Sequence, residues 1–285
     1  SDATTISVHG SQQGAQTIGL GGTAKDTHIS ADELGRITAT DGFILGGSNG
    51  GSVYVNGITD AKSTKLSPVV SIIAKTNNAQ VTFQSFASTF TALEAQADNG
   101  VVVNKDVTTT SGGLYFDGDM ENVAESGGTA HNKVGFTDGR TVTAETLLTL
   151  ESTTGLSSTS YLVNRGELTL SAGTGIVIHN IMTGEANAKP LVMNADNDSN
   201  ASGTLTVASG KLVDSNASDV TITAWDLDLD GSLTAGTADI HAFPAETAQT
   251  IGVGQTAKDM HIDENEVQRL TSAGLWIGNA VGKDM

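Results

Sequence analysis

The feature that most constrains this chain is that it repeats itself. The segment AQTIGLGGTAKDTHISADELGRITAT, from Ala15 to Thr40, returns as AQTIGVGQTAKDMHIDENEVQRLTSA from Ala248 to Ala273, an offset of 233 residues. Thr17, Ile18, Gly19, Gly21, Thr23, Ala24, Lys25, Asp26, His28, Ile29, Glu33, Arg36 and Thr38 all recur unchanged. One deletion later, GFILG at Gly42 to Gly46 is answered by GLWIG at Gly274 to Gly278. Self-similarity at a fixed offset is the mark of array architectures, in which each unit buries its apolar surface against the next. The chain is therefore expected to divide into residues 1–232, one full module, and residues 233–285, the opening of a second copy, as an excerpt of a longer array.

Within the module runs a looser rhythm of short strand-patterned segments bounded by Gly, Asn, Asp and Ser. VYVNG at Val53, VVSIIAK at Val69, QVTFQS at Gln80, VVVNK at Val101 and LYFDG at Leu114 are examples, followed by LTLSAGTGIVIHN and VTITAWDLDLDG. An L-x-L-x-(A/S) start recurs at Leu148, Leu168 and Leu205, with relatives at Leu191 and Val220. That spacing, about 15 to 23 residues, is the length of one β-helix coil. Stacked at roughly 4.8 Å, about 11 such coils would extend on the order of 50 Å. A β-sandwich is disfavoured, because hairpin dipeptides are few and 233 residues exceed one sandwich. The expectation is an all-β parallel β-helix (β-solenoid) with one short helical turn per long module. The turn is marked by a capping box: Ser30 stands three before Glu33, and Asp263 three before Glu266. Leu34 and Ile37 should face the core.

Composition agrees. Thirty-four glycines, three prolines and 4% aromatics leave small aliphatic side chains to fill a regular interior. Charged residues are only 16%, so Thr, Ser and Asn must supply much of the surface. A net charge of −18 argues against nucleic acid and anionic membrane as partners and favours cations or basic surfaces. With no cysteine, disulfides and thiolate metal sites are excluded. No apolar run of about 18 residues is present, so no membrane insertion is expected in this window. The first residues do not read as a signal peptide, and an export signal is expected elsewhere.

The TIGLGGTAKDTHISADELGRITATDGFILG block, with GSVYVNGIT and coils such as LTLSAGTGIVI, resembles the repeats of giant filamentous-haemagglutinin-like surface proteins. The resemblance implies a right-handed parallel β-helix at the cell surface, extracellular, acting as adhesin, stalk or filament. Its implied partners are neighbouring modules of the same chain or filament, and carbohydrate or a host cell surface. It brings no catalytic residues.

Candidate sites are few. WDLDLDG places Asp226, Asp228 and Asp230 at alternate positions, like the opening of a calcium loop, but the twelfth position is Thr237, which excludes an EF-hand. They read first as the outward row of a strand, with a weak Ca²⁺ site as the alternative; no cofactor is required. The acidic stretches around Asp196 and Asp198, and around Asp117, Asp119 and Glu121, read as loops between coils. Asn197, Asn200 and Asn216 begin N-x-(S/T) sequons that would suit glycosylation in a eukaryote. His28 and His261 are repeat-equivalent and lack metal-ligand or catalytic spacing. Lys25, Asp26, Glu33 and Arg36 recur and are expected to form a local ion-pair cluster. The function these readings favour is structural or adhesive, not enzymatic. The alternatives are a carbohydrate-active β-helix enzyme, expected to show carboxylates in one groove, or a carbohydrate- or ice-binding solenoid, for which the threonines of DVTTTSGG are the nearest hint.

Overall fold

A computed structural model describes residues 4–12, 16–122, 132–152, 162–186 and 188–278. Strands dominate, and every ladder among these residues is parallel. They form three extended sheets of nine, eleven and eight strands and one separate pair. From Val70 onward the chain visits the three sheets in fixed order. Val70–Ala74 lies in the first, Val81–Phe83 in the second and Ser88–Phe90 in the third, before Leu93–Ala97 returns to the first. This is the winding expected of an all-β parallel solenoid.

Register is set by inward apolar columns. On the first sheet Val70, Leu93, Leu114, Leu148, Ile176, Leu205 and Leu227 stand on one another. A slip of one residue would turn each buried set outward, so the alternation of apolar and polar residues holds the coils in place. One continuous buried core runs from Ile18 to Ile262. Its fully buried aromatics, Phe43, Phe83, Phe90, Phe116 and Phe136, all lie in the N-terminal half, and beyond Phe136 the core is aliphatic with methionine. Phe83 and Phe116 meet across the interior with ring centroids 5.5 Å apart.

Coil length departs from the expectation. Consecutive coils on the first sheet span from 21 residues, Leu93 to Leu114, to 37, Ile6 to Phe43, with 34 from Leu114 to Leu148. The L-x-L-x-(A/S) starts misled because they sample two faces: Leu148 and Leu205 lie on the first sheet, Leu168, Leu191 and Val220 on the third. The nine strands of the first sheet extend roughly 40 Å, fewer and longer coils than anticipated. The hairpin-like Asn56-Gly57 makes a corner, its side chain donating to the Gly22 carbonyl (2.8 Å) and accepting from the Phe86 amide (3.0 Å).

The repeated block proves to be a compact hook. In the first copy, Ile18–Gly21 and Thr27–Ile29 pair in parallel although only five residues separate them, and Ile251–Val253 pairs with Met260–Ile262 in the same way. Parallel strands ordinarily need a crossover of a dozen residues or more. The recurring residues make the shortcut feasible. Asp26 Oδ2 accepts from the Thr17 amide and hydroxyl (2.9 and 2.8 Å), and Asp259 repeats this on Thr250 (2.9 and 2.7 Å). These bonds hold both carboxyls below the usual carboxylate range. The Nε2–H of His28 donates to the Gly21 carbonyl (2.7 Å), and that of His261 to Gly254 (2.8 Å). Gly19 and Gly252 lie under the turn, where a Cβ would fall 2.0 and 1.7 Å from a threonine carbonyl oxygen. Gly21 and Gly254 take φ of 82° and 72°, a region that favours glycine.

Each hook runs into its capping-box turn, Ala31–Leu34 and Glu264–Arg269, with both reciprocal bonds present in each. Leu34 is fully buried and Ile37 half-buried against the core. The expected ion-pair cluster does not form. Lys25 sits 3.8 Å over the Tyr54 ring, Asp26 is taken by Thr17 and Glu33 by Ser30, and the ion pair found there joins Asp32 to Lys62 at 2.7 Å. Hydroxyl and amide donors of Thr17 and Ser30 occupy these carboxylates in place of Lys25 and Arg36.

Both hooks lie at sheet ends. The first supplies the terminal strand of the second sheet. The second folds over Asp226–Leu229, the last strand of the first sheet: the His261 amide donates to Asp226 Oδ1 (2.9 Å) and the Leu229 amide to Glu266 Oε1 (3.0 Å). Arg269 reaches the Leu229 carbonyl. Side chains thus satisfy an edge whose backbone would otherwise be open to pairing.

Candidate functional site

On the outer face of the first sheet, in-register stacking gathers carboxyl groups. Glu94, Tyr115 and Thr149 occupy one outward column, and Gln96, Asp117 and Glu151 the next. The Tyr115 hydroxyl donates to Glu151 Oε2 (2.8 Å) and approaches Asp117 Oδ2 (3.4 Å), while Asp117 Oδ1 accepts from the Asp119 amide (2.9 Å). Ser71 donates to Glu94 (3.0 Å). Asp117 is only 6% exposed. Burial, with the Glu151 and Glu94 charges adding to it, pushes its carboxyl up to about 6, and burial likewise raises the Tyr115 phenol. A shallow groove of about 390 Å³ adjoins the cluster, lined in part by Pro68, Glu94, Tyr115, Leu147 and Thr149. Such a set can exchange a proton near neutral pH and hydrogen-bond a polyhydroxylated ligand.

The third sheet presents a different surface. One outward column holds Thr89, Thr108, Thr143, Ser171, Asn194 and Thr223; a second holds Thr141, Thr169, Val192, Thr221, His241 and Trp276. Strand geometry spaces such positions at about 4.8 Å between coils and about 6.7 Å along a strand. The second column ends in a stack, the His241 ring lying 6.2 Å from Trp276 and 5.9 Å from Phe243 between centroids. Trp276 is 59% exposed. The threonines of DVTTTSGG contribute one rung, Thr108.

The structure places Asp226, Asp228 and Asp230 outward, with Leu227 and Leu229 buried between them. Asp226 is engaged by the second hook, Asp230 lies 3.8 Å from Arg269, and Asp228 is exposed. Among the described residues no group of three or more His, Cys, Asp or Glu is arranged to hold a metal ion. Asn197, Asn200 and Asn216 are exposed, but Ser218, the hydroxyl residue of the third sequon, is 1% exposed. The acidic stretches are not simply loops: Asp117 ends a strand, and Asp119 and Asp196 are buried.

Sequence reading missed the Asp117–Glu151 juxtaposition because it depends on a 34-residue coil. The Thr-x-Thr-type columns left a signal in RTVTA, LTLSA and VTITA. No family model matches the chain, and neither a curated protein nor a solved structure matches it. No helix among the described residues is long and apolar enough to cross a membrane.

Proposed function

We propose that this chain is a structural and adhesive segment of a large extracellular repeat protein, a right-handed parallel β-helix that lengthens a cell-surface rod or filament module by module. The observation that carries the reading is the uninterrupted stacking of coils over one core, with the repeated hook at the sheet ends, where continuation or closure is decided. Its partners are the neighbouring modules, and it needs no cofactor to fold. The resemblance of the repeat block to filamentous-haemagglutinin-like proteins supports the same role. The test is negative-stain microscopy of chains carrying one, two and four tandem modules. Thin rods whose length grows linearly with module number are expected; compact particles of unchanged length would overturn the reading.

A second reading, carbohydrate or ice binding, draws on the hydroxyl columns and aromatic stack of the third sheet. A periodic face of threonines suits a periodic polyhydroxylated or ordered-water surface. Thr169→Tyr or Thr221→Lys should abolish retention on insoluble polysaccharide, or inhibition of ice recrystallisation, without altering the circular dichroism spectrum. Retention and inhibition that are absent from the unmodified chain, or unchanged in both variants, would remove this reading. The Asp117–Glu151–Tyr115 set serves better as a hydrogen-bonding patch than as a hydrolase pair. Both carboxyls project from adjacent strands of one face and share a hydroxyl, whereas glycoside hydrolysis needs them to flank the bond.

A further inference from the structure

The loop after the third-sheet strand Leu191–Asn194 reads DNDSNAS from Asp196 to Ser202. Asp196 is 1% exposed. Its Oδ1 accepts from the Asn200 amide (3.1 Å), while its Oδ2 is buried and makes no well-formed hydrogen bond, with the Asp198 carboxyl and the Ser202 amide beside the group. An unpaired buried carboxylate oxygen is costly, and such a group calls for a counter-charge. The neighbouring donors do not supply one. Burial and then the Asp198 carboxyl beside it push the Asp196 carboxyl above the ordinary range. Asn200 Nδ2 is spent on Asp198 Oδ2 (2.7 Å), and the Ser202 hydroxyl donates to Asn200 Oδ1.

Two carboxylates therefore face each other in a tight loop, both bonded to Asn200, whose side-chain oxygen lies beside the Ser202 hydroxyl. Oxygen-only donor sets of this kind select hard divalent cations, calcium above all where the cage is flexible. The backbone also conforms. Ala201, at the sixth position, takes φ of 65°, the left-handed turn that calcium loops usually assign to glycine. The twelfth position is Val207, buried in the next strand, so no bidentate glutamate closes the site and water must complete the shell.

We propose that Asp196, Asp198, the Asn200 side-chain oxygen and the Ser202 carbonyl form a calcium site, distinct from the Asp226–Asp230 row. Its position gives it a task. The Asn197 amide bonds the Ala172 carbonyl (2.9 Å) and its side chain bonds Ser171 (2.8 Å), on the preceding coil. Ser199 donates to the Ala245 carbonyl (3.0 Å), two coils further on, past Val220–Ala224. Calcium in this loop ties its own coil to coils on either side at one corner. It also commits Asn200 to the metal, which is incompatible with glycosylation of that sequon.

The test is calorimetric titration of the EDTA-treated chain with CaCl₂ at neutral pH, with melting temperature as the second readout. One site is expected, with a dissociation constant on the order of 10⁻⁴ to 10⁻³ M, the range of weak, partly hydrated loops. Asp198→Asn is exposed and should fold. It should weaken binding at least about tenfold and abolish the calcium-dependent rise in melting temperature. The Asp226→Asn/Asp228→Asn/Asp230→Asn triple variant should bind like the unmodified chain. No binding up to millimolar calcium, unchanged binding in Asp198→Asn, or loss confined to the triple variant would overturn the proposal.

Discussion

Replacing Asp117 by asparagine should stabilise the protein at neutral pH and remove a pH dependence. Asp117 takes up its proton at about 6 in the fold, against an ordinary value of 3.8, because its carboxyl is buried and faces Glu151 and Glu94. Between about pH 4 and pH 6 the folded chain holds a proton that the unfolded chain has released. More protons bound in the folded state means that stability falls as pH rises through this window. A shift of about two units corresponds to about 3 kcal/mol, fully lost above pH 6 and fully retained below pH 4. Asparagine mimics the protonated form. Its oxygen can still accept from the Asp119 amide, and Tyr115 keeps its shorter bond to Glu151. The variant should therefore be about 2 to 3 kcal/mol more stable than the unmodified chain at pH 7.5 and equal to it near pH 4. Urea unfolding followed by Trp225 and Trp276 fluorescence, at several pH values from 4 to 8, measures this. The difference between the two proteins isolates Asp117 from the carboxylates whose hydrogen bonds shift them the other way, such as Asp26 and Asp259. A difference that does not change with pH, or a variant less stable at pH 7.5, would refute the argument.

Phe116→Ala should cost about 3 to 5 kcal/mol in the same unfolding measurement, since it empties a fully buried site and removes the ring packed on Phe83. Gly19→Ala places a Cβ 2.0 Å from the Thr23 carbonyl oxygen and should cost about 2 kcal/mol or more. Gly135→Ala, where nothing lies within 4 Å, should stay within about 0.5 kcal/mol, and equal losses at the two glycines would contradict the steric account. Ser30→Ala should cost about 1 kcal/mol through loss of the cap, read as a lower urea midpoint.

Strands were legible because burial alternates with period two: VTITA and LTLSA each show their inward and outward sets directly. Coil length was not legible, because the gaps between successive strands range from one residue, Trp225, to the whole stretch between Asp117 and Val134. Any contact set by that length stayed hidden with it, including Asp117 on Glu151. The capping boxes could be read because both partners lie within one turn. The hook could not, since a five-residue parallel crossover contradicts the usual rule and is made possible only by the joint action of Thr17, Gly19, Asp26 and His28. The aspartates of WDLDLDG were legible as an outward row, but their partners lie 35 or more residues away, on His261 and Arg269.

The hook also bears on the order in which the chain gains structure. Its bonds close over nine residues, Thr17 to Asp26, and seven, Gly21 to His28, whereas neighbouring coils must find each other across 19, Ser88 to Val107, to 37, Ile6 to Phe43. Short closures form sooner than long ones. In pulse-labelling hydrogen exchange the amides of Thr27 and Met260, bonded to Thr17 and Thr250, should gain protection before those of Val101 or Leu191. A solenoid stacked coil by coil has few intrinsic landmarks, because each strand repeats the alternation of the last. The hook acts as punctuation, a locally written mark that tells a growing stack where counting starts.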